Sequence, residues 1–335
     1  MKISPASWAK IAIFIIMGVV FGGVMVMYSN SQYDKPSSSN STKDEIRSMF
    51  GSDESSTNRH IEKSFAVKKG GNFFLDTDAG EVDVVTWDKD EVQVKVDIAG
   101  SDRRSEQFDV KFSADIDRVS VTGKVNDNNF FKWDIGDLDV HYIITLPKKF
   151  SVKATTSGGN MSVRDLNGTV RLETSGGNMS INAVEGDVTL NTSGGNIEAK
   201  EVKGSLKGET SGGNVRADNV LGDVNVQTSG GEISLASIDG SVHAETSGGG
   251  IMLKLNGENK GIDVHSSGGD INIFVNESIA ANLEASTSGG RVRCELPITV
   301  KGDMSDEELR GKINGGGNVI RAETSGGDVR IKNLK

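Results

Sequence analysis

The chain has 335 residues, a formal net charge of −10 and a single cysteine, Cys294. The acidic balance, with no basic patch to neutralise phosphates, argues against nucleic-acid binding. The lone cysteine excludes an intramolecular disulfide, and its alternation in phase with Val292 reads as a buried thiol.

Residues 11–27 are an unbroken apolar run, and Lys10 is the only charge between Trp8 and Tyr28. That span is about long enough to cross a bilayer, with aromatic residues where the interfaces would fall and Lys2 and Lys10 on one side. Residues 1–28 are therefore expected to be a single transmembrane anchor with a short cytoplasmic N-terminus, the body lying in the periplasm or at the cell surface. A cleaved signal peptide is the competing reading; the run is long for one, and no clear small-x-small site follows. Gly18 and Gly22 are ordinary for such a helix and need no pairing role. Residues 29–61, rich in Ser, Asn, Asp and Lys, read as a flexible tether with room for a short helix at Lys43–Phe50.

From 62 to 155 alternation is present but irregular, as in Glu81-Val-Asp-Val-Val and His141-Tyr-Ile-Ile-Thr-Leu. These strands are expected to begin the sheet stack and cap its first coil, since a bare end would expose unpaired strand groups.

From 156 to 335 the pattern becomes strict. Thr-Ser-Gly-Gly begins at Thr156, Thr174, Thr192, Thr210, Thr228 and Thr246, each 18 residues after the last, continues as Ser-Ser-Gly-Gly at Ser266, and returns at Thr287 and Thr324. A fixed short period means one supersecondary unit stacked many times. Within a unit, apolar and polar residues alternate in two short runs, the signature of strands with one buried face. Aligned units give apolar files: Met161, Met179, Ile197, Val215, Ile233, Ile251; Val163, Ile181, Ala199, Ala217, Leu235, Leu253; Val170, Val188, Leu206, Val224, Val242. Glycines at both corners would supply positive φ. The motif Thr falls in phase with the inward set, its hydroxyl free to bond a neighbouring coil. The expected fold is all-β: a flattened β-solenoid of 18-residue coils, eight or nine coils rising roughly 40 Å at the strand spacing, right-handed by the crossover preference, and preceded by the transmembrane helix. Ser305 with Glu308 three residues on reads as a capping box, predicting a helical insertion near 303–310. The last motif lies so close to Lys335 that the final coil would be closed by little else.

Little catalytic chemistry is legible. His60, His141, His243 and His265 have no metal spacing. No Lys-Ser/Thr follows the glycines as a phosphate loop requires, and the nine-residue aspartate period of calcium-binding repeats is missing. Acidic residues scatter over short loops that build no cleft. No catalytic residue, metal or cofactor is expected, and the chain is read as a non-enzyme. Asn160, Asn178, Asn196 and Asn214 form a file that could bind a cation or sugar, though an amide ladder satisfying turn backbones is the simpler reading.

The segment Tyr142-Ile-Ile-Thr-Leu-Pro-Lys-Lys-Phe ahead of Thr-Ser-Gly-Gly-Asn, together with Thr86-Trp-Asp-Lys-Asp-Glu-Val, Ile313-Asn-Gly-Gly-Gly-Asn and Thr324-Ser-Gly-Gly-Asp-Val-Arg-Ile, resembles the bacterial "putative adhesin" family of unknown function across about 62–335. The resemblance implies a β-solenoid at the cell envelope and brings no catalytic residues; this chain's 18-residue units are more regular than the family's pattern. The expected function is a membrane-anchored adhesin-like binding module. Its partners would be the membrane through residues 8–28 and an envelope polysaccharide or protein. The alternative is a scaffold that self-associates end to end. A carbohydrate-active enzyme and an ice-binding Thr face rank lower.

Overall fold

The computed structural model describes residues 56–126, 138–300 and 305–334. The anchor expected at 8–28 lies outside them. Among the described residues no helix is long and apolar enough to cross a membrane, and the helix found, Asp102–Gln107, has six residues.

Ser55–Lys335 is one compact unit built on a 13-stranded and a 14-stranded sheet. Each repeat contributes one strand to each. Thus Val170–Thr174 lies in the second, larger sheet and Met179–Glu185 in the first. Successive repeats pair parallel and in register, Met161 beside Met179 beside Ile197. Residues 18 apart are therefore neighbours at about the 4.8 Å strand spacing, and the apolar files become continuous ladders inside a β-solenoid. The core residues between the sheets form one buried cluster.

One inward file escapes simple alternation. Leu166, Val184, Val202, Val220 and Ile238 are all buried, although they lie three residues, not two, after Val163 and its equivalents. The residue before each of them, Asp165, Ala183, Glu201, Asn219 and Ser237, takes φ between 54° and 59°. This left-handed residue turns the strand and points the next side chain inward. An L-residue held there costs about 1–2 kcal/mol, which glycine avoids while adding about 0.5–1 kcal/mol of backbone entropy. Ala183→Gly is therefore expected to stabilise the protein, by at most about 1 kcal/mol, read as a rise in the thermal midpoint.

The glycines of the repeat answer chiefly to a different demand from the positive φ expected of them. Gly177, Gly195, Gly213 and Gly231 have no positive φ. A Cβ on Gly195 would instead stand 1.9 Å from the carbonyl oxygen of Gly177. Close stacking of backbones, coil on coil, excludes a side chain.

The motif threonines face inward, as their phase predicts: Thr192, Thr210 and Thr228 are no more than 7% exposed. This leaves an ice-binding Thr face without its residues. Thr210 Oγ1 donates to the Gly195 carbonyl of the preceding coil at 2.8 Å and accepts from Gly213 N–H at 3.3 Å. The same pair of bonds recurs at Thr192, Thr228 and Thr246. Thr210→Val keeps the volume but removes both bonds inside the core. It is expected to cost about 1–3 kcal/mol, whereas Thr189→Val on the outer face should stay within about 0.5 kcal/mol; thermal denaturation separates the two.

Following these hydroxyls gives the true order of the coils. Thr156 Oγ1 reaches Gly80, so Asn72–Trp87, with Thr77-Asp78-Ala79-Gly80 at its turn, is a diverged coil next to the first regular repeat, and Arg118–Val125 and Asp139–Pro147 pair parallel on its far side, one in each sheet. At the other end Ser266 reaches Gly249, Thr324 reaches Gly269, and Thr287 reaches Gly327. The last repeat in sequence is therefore next to last in space. Val319–Thr324 pairs with Ile262–Ser266 on one side and with Asn282–Thr287 on the other, and Val329–Asn333 lies between Ile271–Val275 and Val292–Cys294.

This placement corrects two expectations. The final coil is not an open end. The outermost coil is 281–294, covered in the second sheet by an antiparallel hairpin of Ile298–Val300 and Glu308–Ile313. Nor does a helix form in the described part of 303–310. Ser305 Oγ does accept the Glu308 N–H at 2.9 Å, but Leu309, Gly311 and Ile313 alternate with Glu308, Arg310 and Lys312. That period-two pattern buries a strand face, which outweighs a single cap. Cys294, on a three-residue edge strand, is only partly buried, so the expected buried thiol is half realised; burial nonetheless raises its pKa.

At the opposite end, Ser56–Ala66, which includes part of the stretch expected as tether, is a strand that pairs along its whole length with Glu91–Ser101. Tyr142, Phe73, Phe108 and Phe150 plug this end. Tyr142 Oη and Thr77 Oγ1 lie 2.9 Å apart, and burial pushes the phenol well above its ordinary value. The exposed edges are Ser56–Ala66 and Phe108–Asp115 here, and the three-residue strands Val292–Cys294 and Ile298–Val300 at the far end.

Candidate functional site: a polar groove on the second sheet

The residue immediately before each motif Thr points outward on the second sheet. Parallel register places Glu173, Asn191, Glu209, Gln227 and Glu245 in one file across five adjacent coils. Beside it the turn serines Ser193, Ser211, Ser229 and Ser247 form a hydroxyl ridge. Between file and ridge runs a polar groove of about 570 Å³. At the strand spacing, four intervals give it a length of about 19 Å.

The groove walls are built on the most regular part of the fold, so their spacing is fixed by the backbone ladder. Two carboxylates are held by cations from the same strand. Arg171 Nη2 lies 2.6 Å from Glu173, and Lys207 Nζ lies 2.9 Å from Glu209. Asn191, Gln227 and Glu245 have no side-chain partner among the described residues. The Asn191 Oδ1 is shielded from solvent with its hydrogen bond unmade, which leaves its Nδ2 as the group the side chain can present to the groove. The groove offers hydroxyls, amides and carboxylates in rows, a surface suited to hydrogen-bonding an extended polar chain, and it holds no nucleophile–base pair. Among the described residues no group of His, Cys, Asp and Glu is arranged to hold a metal ion.

The asparagine file singled out by sequence lies outside this groove, at the other side of the turn. Asn160 Oδ1 accepts the Asn178 N–H at 2.9 Å, Asn178 Oδ1 that of Asn196 at 2.8 Å, Asn196 Oδ1 that of Asn214 at 2.8 Å, and Asn214 Oδ1 that of Glu232 at 2.8 Å. These side-chain carbonyls are committed to the turns, and the Nδ2 groups of Asn160, Asn178 and Asn196 donate to Glu81, Asn160 and Asn178 in turn, so the file is an amide ladder that satisfies itself. The groove file is equally present in the sequence, as an acid–amide alternation ahead of the five motif threonines from Thr174 to Thr246, but outward positions carry no hydrophobic signal to single it out.

A second outward feature lies on the first sheet. Lys254 and Lys332 flank Phe274 from neighbouring strands, their ammonium groups 6.0 and 5.4 Å from the ring centroid. It is a small cationic patch on the outer face of the sheet.

The family described as Toastrack DUF4097 matches residues 73–332. Similar solved structures include a "putative adhesin" from Parabacteroides distasonis, 12% identical over 82% of this chain and 97% of that one, with a TM-score of 0.35. A "putative lipid binding protein" from the same species is 14% identical over 84% and 97%, with a TM-score of 0.31. A "putative cell adhesion protein" from Clostridium sporogenes is 12% identical over 82% and 100%, with a TM-score of 0.22. Likeness at this level transfers no function. No curated protein matches the chain.

Proposed function

The chain belongs to the Toastrack DUF4097 family, and from that premise we propose that it is a non-catalytic, adhesin-like binding module of the bacterial envelope, anchored through residues 8–28 with its body outside the membrane. The observation that carries this reading is the groove: five outward polar side chains at a backbone-fixed spacing, three of them unpartnered. A rigid rod with a polar groove along its axis fits an extended envelope polymer better than a compact ligand, because each coil repeats the same contacts along one line. The apolar run and the lysines before it support the anchor and its orientation.

The alternative, end-to-end assembly, would use the sheet edges. Two of them are three residues long, and the two longer ones carry charged residues such as Lys63, Glu62, Lys111 and Asp109. Short and charged edges discourage strand addition, so the binding module is preferred.

The test is cosedimentation of the purified full-length chain with protein-stripped envelope polysaccharide. The expected result is retention that falls when Asn191, Glu209 and Gln227 are changed together to Ala. No retention on any envelope fraction would overturn the proposal.

A further inference from the structure

The groove alternates in a way that its stability does not require. Coils ending in Glu173, Glu209 and Glu245 also carry Arg171, Lys207 and His243 two residues earlier. The coils between them carry Thr189 with Asn191, and Asn225 with Gln227. Charged rows and neutral amide rows thus take turns, with a true period of two coils, about 9.6 Å.

Avoiding like charges stacked on neighbouring strands explains part of this, since directly opposed carboxylates destabilise a sheet. It does not explain the choice of spacer. On the outer face of the first sheet, the file Ser162, Ser180, Glu198, Arg216, Ser234 sets opposite charges side by side and has no amide spacer. In the groove the spacers are amides, side chains that carry both donor and acceptor groups, and each is without a side-chain partner among the described residues. The paired Glu173 and Glu209, meanwhile, are held in place by their cations and present a fixed acceptor beside a fixed donor at every second coil.

We infer that this groove binds an uncharged, β-linked linear glycan along the solenoid axis, in register with its disaccharide repeat. Two strand spacings approach the length of one extended β-linked disaccharide, so each amide row would meet the same face of alternate sugars. The groove's length of about 19 Å holds two such repeats. Its three carboxylates disfavour a glycan that carries its own acids. The inference rests on the binding-module reading above and adds the ligand class and its register.

The experiment is calorimetric titration of the full-length chain with β-1,4-linked N-acetylglucosamine oligosaccharides. The tetrasaccharide is expected to bind at least about tenfold more tightly than the disaccharide, because the second repeat engages a site already aligned. Asn191→Ala and Gln227→Ala, whose side chains have no partner to lose, should fold normally by circular dichroism. Each should weaken tetrasaccharide binding about five- to tenfold, the worth of one or two net hydrogen bonds. Equal binding of the two lengths, or binding indifferent to both variants, overturns the inference. If the oligosaccharides fail while the chain is still retained on envelope polysaccharide, the disaccharide register is wrong and the binding module stands; if both fail, both readings fall.

Discussion

Deleting residues 319–335 is expected to unfold the stack inward from a coil that the deletion does not touch. In a solenoid whose coils follow sequence order, losing the last repeat would shorten the rod and expose one new end. Here the last repeat fills a slot between 262–275 and 281–294. Its removal unpairs both walls of that slot and strips Ile320, Val329 and Ile331 from the core. At about 1.5–3 kcal/mol for each buried aliphatic side chain, the three together lose about 4.5–9 kcal/mol before any strand hydrogen bond is counted. That is comparable with the whole stability of many domains. Coil 281–294 and its hairpin would then hang from the short link at 276–280. Hydrogen exchange should show protection lost throughout 281–313 and kept in 151–255. Protection retained in 281–313 would mean that the outer coil collapses onto 262–275 and closes the slot, contrary to this account.

Gly195→Ala is the second large effect. Its Cβ would meet the Gly177 carbonyl at 1.9 Å and the attached carbon at 2.4 Å. The Gly177 carbonyl also accepts the Thr192 hydroxyl. The added methyl can be housed only by parting two coils, which lengthens that bond and the ladder beside it. The cost is expected to reach about 3 kcal/mol, the upper end for overpacking, and to lower the thermal midpoint by about 6 °C or more. The neighbouring glycine of the same motif is the control. A Cβ on Gly194 meets nothing closer than 3.8 Å, so Gly194→Ala should stay within about 0.5 kcal/mol. Equal effects at the two positions would show that the motif conserves turn flexibility, with coil contact playing no part.

The solenoid was legible because its two determinants repeat. Alternation exposed the files through Met179 and Val188, and the phase of Thr192 placed its hydroxyl inside. The file through Val184 was hidden because a left-handed Ala183 breaks the two-residue period, and nothing about an alanine announces positive φ. The strand at Glu308–Ile313 was mistaken for a helix because Ser305 makes a genuine cap-like bond while the decisive alternation spans only three inward residues. The order of the last two coils was beyond local reading. Thr287 and Thr324 carry the same motif, and only long-range pairing decides which lies outside. The groove file was in plain view, yet outward residues are constrained by what they bind, and sequence periodicity records mainly what is buried.

The most direct test of the central claim is an amide chemical-shift map of the full-length chain titrated with solubilised envelope polysaccharide. Shifts gathered at the side-chain amides of Asn191 and Gln227 and at the turns bearing Ser193, Ser211 and Ser229 are the predicted result. Shifts confined to the cationic face around Phe274, or to the strand edges, would contradict it.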